Sequence, residues 1–188
     1  MVNSYCNAVK NLDKRDVNRL YHDFTYGFPL TDDNELFGRL IMEINQAGLS
    51  WTTILKKQEN FRRAYAEFSI QKIANFTEND RNRLLNDAGI IRNRLKINAA
   101  IHNANMILEL QKKFGSFKNW LDHNHPLDLE DWVKLFKKHF KFTGGEITKE
   151  FLLSTGYLEG AHARECPVYK KILKKSPGWA TLMKKENL

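Results

Sequence analysis

Between residues 31 and 47, Leu36, Phe37, Leu40, Ile41, Ile44 and Ala47 recur at the spacing of one helix face. That period constrains the fold most, because nowhere do apolar and polar residues alternate over more than about four positions, so no strand is indicated. The expected class is all-α, with many short helices and one long one. The helix is expected to begin at Thr31, whose hydroxyl can cap it, with Asp32, Asp33 and Glu35 complementing its dipole. It breaks at Gly48, and Ser50 can cap a new helix through Ile54–Lys57. At about 100° per residue, Glu43 falls beside Leu36 and Leu40, so a carboxylate turns inward. A salt bridge to Arg39 or Arg92 would satisfy it, and so would a ligand.

The rest of the chain reads the same way. Residues 1–30 look irregular, apart from a short helical piece near Lys14–Leu20. Phe61, Ala64, Tyr65 and Phe68 continue an apolar face. Ser69 and Thr77 are placed to cap short helices over Ile70–Ala74 and Glu78–Asn86. Asp87-Ala88-Gly89 breaks the chain. A long helix is expected from Asn93 to Lys113, with Leu95, Ala99, Ile101, Ala104, Ile107 and Leu108 inward, and Gly115 ends it. Ser116 starts a short helix, Leu129–His139 is basic and amphipathic, and Phe140–Gly145 is a tight turn. A helix over Glu146–Thr155 follows, then an irregular stretch, and Pro167 opens a last helix. The expected organisation is one helical domain over 1–169, in one lobe or two, and a Lys-rich helix or tail over 170–188.

A formal charge of +8 makes a polyanionic partner plausible. No run of 18 apolar residues exists, so no membrane partner is expected. Met1–Tyr5 lacks the basic and apolar segments of a signal peptide, so the expected location is cytoplasmic.

Three constellations carry chemistry, each beside a plainer reading. The turn at Phe140–Gly145, with Lys137, Lys138, Lys141 and Lys149, can present backbone N–H groups to a phosphate. It also reads as an ordinary helix corner with a solvated basic face, and Glu146 competes with a phosphate there. His162 and Cys166 stand four apart, and Cys6 and His22 form a second, looser pair. Two thiolates and two imidazoles suit structural zinc, though such pairs also arise by chance. Tyr21, Tyr26, Trp51 and Glu43 make a candidate box for a flat polar ligand such as a nucleobase, or plain core packing.

Larger blocks resemble a known family. Tyr21-His22-Asp23, Glu43 ahead of Gln46-Ala47-Gly48-Leu49-Ser50-Trp51, Ile54-Leu55-Lys56-Lys57, Asp87-Ala88-Gly89-Ile90-Ile91-Arg92-Asn93-Arg94 and Phe140-Lys141-Phe142 before Gly144 are similar to the DNA-3-methyladenine glycosylase I family. The resemblance runs from about Cys6 to Cys166. It implies the helix-hairpin-helix DNA glycosylase fold and a monofunctional enzyme that hydrolyses N3-methyladenine from alkylated double-stranded DNA, working as a monomer. It implies structural zinc on Cys6, His22, His162 and Cys166, joining the N- and C-terminal segments. Glu43 maps onto the pocket acid, Tyr21 onto its hydroxyl-bearing aromatic and Trp51 onto the stacking residue; Tyr26 stands where the family usually has Trp. Leu49, beside Gly48, maps onto the wedge that enters the duplex, and Gly144, next to Lys141, onto the phosphate-contacting turn. No aspartate base stands in 147–155, which agrees with this family. Ile44 takes the place of a usual Gly beside the acid, so a shifted alkyl-base preference is one alternative, and a non-catalytic lesion-binding module is another.

Overall fold

The computed structural model describes residues 5–183, and among them every regular element is helical. None of these helices is long and apolar enough to cross a membrane. The chain divides into two compact units: one takes the segment up to Leu30 and that from Lys149 onward, the other the continuous segment Thr31–Thr148.

The first unit contains α1 (Tyr5–Val9) and α2 (Val17–Phe24), where sequence had indicated only a helical piece near Lys14–Leu20. Asp16 explains the shift, since its carboxylate accepts from Asn18 N and caps α2.

In the second unit α3 (Asp33–Gln46) is followed by α4 (Trp51–Lys56), α5 (Gln58–Ala64), a short 3₁₀ turn, α6 (Ile70–Ala74) and α7 (Glu78–Asn86). The cap of α3 is Asp32, accepting from Glu35 N, and not Thr31: the carboxylate one residue later holds the charge-assisted bond. Leu36, Phe37, Leu40, Ile41 and Ile44 are buried, as their spacing required. Gly38 lets the ring of Phe68 lie directly on α3, where a Cβ would collide with it.

The longest helix, α8 (Arg94–Phe114), starts at Asn93, whose side chain accepts from Leu95 N and Lys96 N. The Asp87–Asn93 block fixes that start. Gly89 N donates to Asp87 Oδ1 at 2.7 Å, and Lys57 Nζ donates to the carbonyls of Ala88 and Gly89 at 2.9 and 3.2 Å. On α8 the expectation that Leu95 faces inward is corrected, and its neighbour Lys96 does so instead. Leu95 is 65% exposed, whereas Lys96 is buried at 6%. Its long stem lies inward so that the ammonium reaches carbonyls of another helix.

After α8 come α9 (Phe117–Asn124), α10 (Leu129–His139) and α11 (Gly145–Ser154), which begins in the second unit and ends in the first. Asp33, read from sequence as a dipole partner, accepts from Gln111 Nε2, Phe117 N and Lys118 N, so it joins the start of α3 to the start of α9. Phe117, Trp120, Phe136 and Phe140 form an aromatic cluster with ring centroids 5.4–5.8 Å apart. Each fully buried ring contributes roughly 1.5–3 kcal/mol.

The first unit is completed by α12 (Pro167–Leu173), opening on the proline, and α13 (Gly178–Met183). The Lys-rich end therefore carries helix to Leu173 and again over Gly178–Met183, with Trp179 buried against Val168 and Ile172; residues 184–188 lie outside the described residues.

Candidate metal centre and active-site residues

Cys6, His22, His162 and Cys166 come together in the first unit, with one donor atom of each within 4.8 Å of all the others. Cys6 Sγ lies 3.7 Å from His162 Nδ1, and Cys166 Sγ lies 3.7 Å from both His22 Nε2 and His162 Nδ1. A tetrahedral ion bonded at about 2.3 Å to sulfur and about 2.0–2.1 Å to nitrogen sets such donors about 3.5 Å apart. The cluster therefore fits, and it can hold a metal ion.

The rings are also aimed. Asp23 Oδ1 lies 2.7 Å from His22 Nδ1, and a carboxylate can only accept, so Nδ1 carries the proton and Nε2 turns a lone pair to the cluster. The Tyr26 carbonyl lies 2.8 Å from His162 Nε2, which leaves His162 Nδ1 free of its proton on the cluster side. Burial would raise Asp23, but hydrogen bonds from His22 and Arg19 outweigh it and hold the carboxyl below its ordinary range. Burial drives His162 down to about 4, against the opposing bond to Tyr26. Burial also pushes the Cys6 thiol up. Gly27, at φ +80°, admits this packing: a Cβ there would stand 2.8 Å from Ala161 Cβ and 3.3 Å from His162 Cδ2.

Tyr21 and Tyr26 stand beside the cluster, with ring centroids 5.7 Å apart and both side chains buried. Tyr26 O–H donates to Glu150 Oε2 at 3.0 Å. Tyr5, which the sequence reading did not single out, lies edge-on to Tyr26 and His22 and donates to the Asn18 carbonyl.

The second unit holds the other candidates. Glu43 is 4% exposed on α3, so the inward carboxylate is confirmed by its burial. Beyond α3 the chain reverses at Gly48, φ +84°, a conformation that L side chains rarely adopt. Leu49 is exposed at 39%, its N–H on the Gln46 carbonyl at 2.7 Å. Gln46 Nε2 donates back to Leu49 O at 3.1 Å. Ser50 accepts from Thr53 N and starts α4 with Trp51, half-buried, as its first residue. Lys96 Nζ donates to the carbonyls of Asn45 and Ala47, at 3.0 and 2.9 Å, near the last turn of α3.

At the second turn Lys141 is exposed, Phe142 takes a left-handed φ of 59°, Thr143 is buried, and nothing stands within 4 Å of a Cβ built at Gly144 or Gly145. The buried side chain of Asn103, on α8, accepts from Lys141 N at 2.7 Å and donates to Lys141 O at 3.1 Å. Sequence reading gave no role to Asp23, Glu150, Lys96 or Asn103, although Asp23 and Lys96 stand in or beside the blocks that carry the family resemblance. Only Asp23 had a signal there, as a carboxylate next to a candidate ligand histidine.

The chain is similar to known proteins. The family described as methyladenine glycosylase matches residues 11–131. DNA-3-methyladenine glycosylase 1 of Escherichia coli (strain K12) is 36% identical, over 79% of this chain and 89% of that protein. DNA-3-methyladenine glycosylase of Haemophilus influenzae is 32% identical, over 78% and 89%. Among solved structures, 3-methyladenine DNA glycosylase I from Staphylococcus aureus superposes with a TM-score of 0.75 at 32% identity, covering 83% of this chain and 93% of its own. With a family match over most of its length and relatives above 30% identity, the chain belongs to the methyladenine glycosylase family.

Proposed function

We propose that this protein is a monofunctional DNA-3-methyladenine glycosylase, acting in the cytoplasm as a monomer on alkylated double-stranded DNA. The observation that carries the reading is Glu43: a carboxylate 4% exposed, just before the turn that exposes Leu49 and starts α4 at Trp51. N3-methyladenine is cationic and already a good leaving group, so little protonation is required. Glu43 accepts from its exocyclic amine and complements the positive charge, Trp51 stacks on the ring, and Tyr21 and Tyr26 are the further base contacts. Leu49, on the Gly48 turn, enters the base stack. Lys141 and Gly144 take backbone phosphate through a helix-hairpin-helix turn. Water adds to the anomeric carbon as the C–N bond breaks; the electron pair leaves with the base, the water's proton goes to solvent, and an abasic site remains.

The metal is zinc in a structural role. Cys6, His22, His162 and Cys166 would hold it, and four protein donors would leave no place for a reacting water.

The test is release of free 3-methyladenine from methylated DNA. The wild-type protein should release it, and Glu43→Gln should lower release by about 100-fold while still binding DNA. A zinc-loaded wild-type protein that releases none would leave a lesion-binding module. Ile44, fully buried beside Glu43, favours a second reading, an altered base preference, which the same assay on 7-methylguanine and 3-methylguanine checks.

A further inference from the structure

Lys96 and Asn103 stand seven residues apart on α8, which is two turns, so they share one face of that helix about 10.5 Å apart along its axis. Both are buried, and neither spends its side chain on a neighbour in its own helix. Each instead binds main-chain atoms of a different turn. The Lys96 ammonium takes the Asn45 and Ala47 carbonyls, immediately before Gly48 and Leu49. The Asn103 amide takes both the N–H and the carbonyl of Lys141, immediately before Phe142 and Gly144.

Main-chain contacts of this kind fix a turn's position whatever side chains it displays. They also hold conformations that would otherwise relax. Phe142 pays for a left-handed φ of 59° and still exposes its ring at 41%, while the residues on either side are held: Lys141 by Asn103, and Thr143 by burial and its bond to the Phe140 carbonyl. Gly48 has open space around its α-carbon, so neighbouring side chains do not hold that turn; Lys96 and Gln46 do. Burial lowers the pKa of Lys96, a cost accepted at a site where an apolar residue would pack more easily.

We propose that α8 is a strut that sets the spacing between the wedge turn at Gly48–Leu49 and the phosphate turn at Lys141–Gly144, with Lys96 and Asn103 as its positioning residues. The proposal rests on the reading above that both turns engage DNA. Neither residue touches DNA. Their work is to have wedge and phosphate grip in register before the duplex arrives, so that opening the stack requires no rearrangement of the protein.

The test uses the full chain with Lys96→Met, Asn103→Leu and the double variant, each at a temperature where circular dichroism shows it folded. Two affinities are measured: for a duplex with a tetrahydrofuran abasic analogue, and for free 3-methyladenine. Each single variant should bind the lesion duplex about tenfold or more weakly, with free-base affinity within about twofold of wild type. Because both residues set one distance, the double variant should lose little more than the worse single variant. Equal loss of free-base and duplex affinity, near-wild-type duplex binding, or losses that multiply in the double variant would each overturn the strut. If Lys96→Met does not fold, Lys96→Arg takes its place. It keeps the cation and its donors on a larger head, so it should fold, keep the free base and bind the lesion duplex at least about fivefold more weakly; unchanged duplex binding would again overturn the proposal. A wild-type protein that prefers the lesion duplex but releases no 3-methyladenine loses the enzyme reading and keeps the strut. One with no preference for the lesion loses both.

Discussion

Asp23 sits outside the Cys/His cluster and yet decides how one of its rings is aimed. Its carboxylate fixes the tautomer of His22, and Arg19 Nε holds the other oxygen at 2.8 Å. Asp23→Asn keeps the shape and loses the charge, so metal affinity should fall about 10- to 100-fold. Competition against a chromophoric chelator measures this, and an unchanged affinity would mean that backbone packing alone aims the ring. The four cluster residues were legible because cysteine is scarce in this chain and each lies within reach of a histidine in sequence or in family pattern. Glu43 was legible because helix phase is a local property. Lys96 was not: a lysine in a helix's first turn is ordinarily solvated, and only the carbonyls at the end of another helix give it a reason to be buried. The same phase error put Leu95 inside.

Elements ended where side chains could end or begin them locally. Ser50, Ser69, Asn93 and Ser116 each accept a hydrogen bond at the helix start that sequence assigned to them, and Thr77 forms a capping box with Asp80. The element that sequence missed, α1, has five residues, and α13, inside the expected helix or tail, has six. Helices so short are not stable by themselves and owe their form to packing, which no window of sequence contains. The reversal after α3 is an element-scale feature that can be tested without disturbing the core. Gly48→Ala meets no atom within 4 Å, so its cost is the left-handed φ alone, about 1 kcal/mol. Chemical denaturation should show that loss with an unchanged dependence on denaturant. A loss above about 3 kcal/mol would mean that the turn carries packing as well.

At the scale of the molecule, the first unit is assembled from both ends of the chain and the second from one continuous run. The Cys/His cluster draws two of its residues from each segment of the first unit, so it is expected to add to the apolar packing around Phe151, Leu152 and Trp179 in holding that unit together. Chelation should therefore lower the thermal stability of the whole protein while helices of the second unit outlast those of the first, as hydrogen exchange would report. An identical melting curve with and without chelator would remove the structural role. The metal-free protein should also be acid-sensitive in a defined window. His162 holds about 4 when folded and an ordinary value near 6.5 when unfolded, so the unfolded chain takes up a proton that the folded one refuses. Stability should drop as pH falls from about 6.5 to 4, with no further contribution from this group below that; a flat stability across the window would show that His162 is protonated in the fold. The discontinuous first unit also sets an order of events during synthesis. Lys96, Asn103 and both turns that they hold are complete once residue 148 is made, whereas the partners of Cys6 and His22 arrive only with His162 and Cys166. Any ion held there is thus captured last, joining two stretches of chain whose intervening segment has already had time to fold.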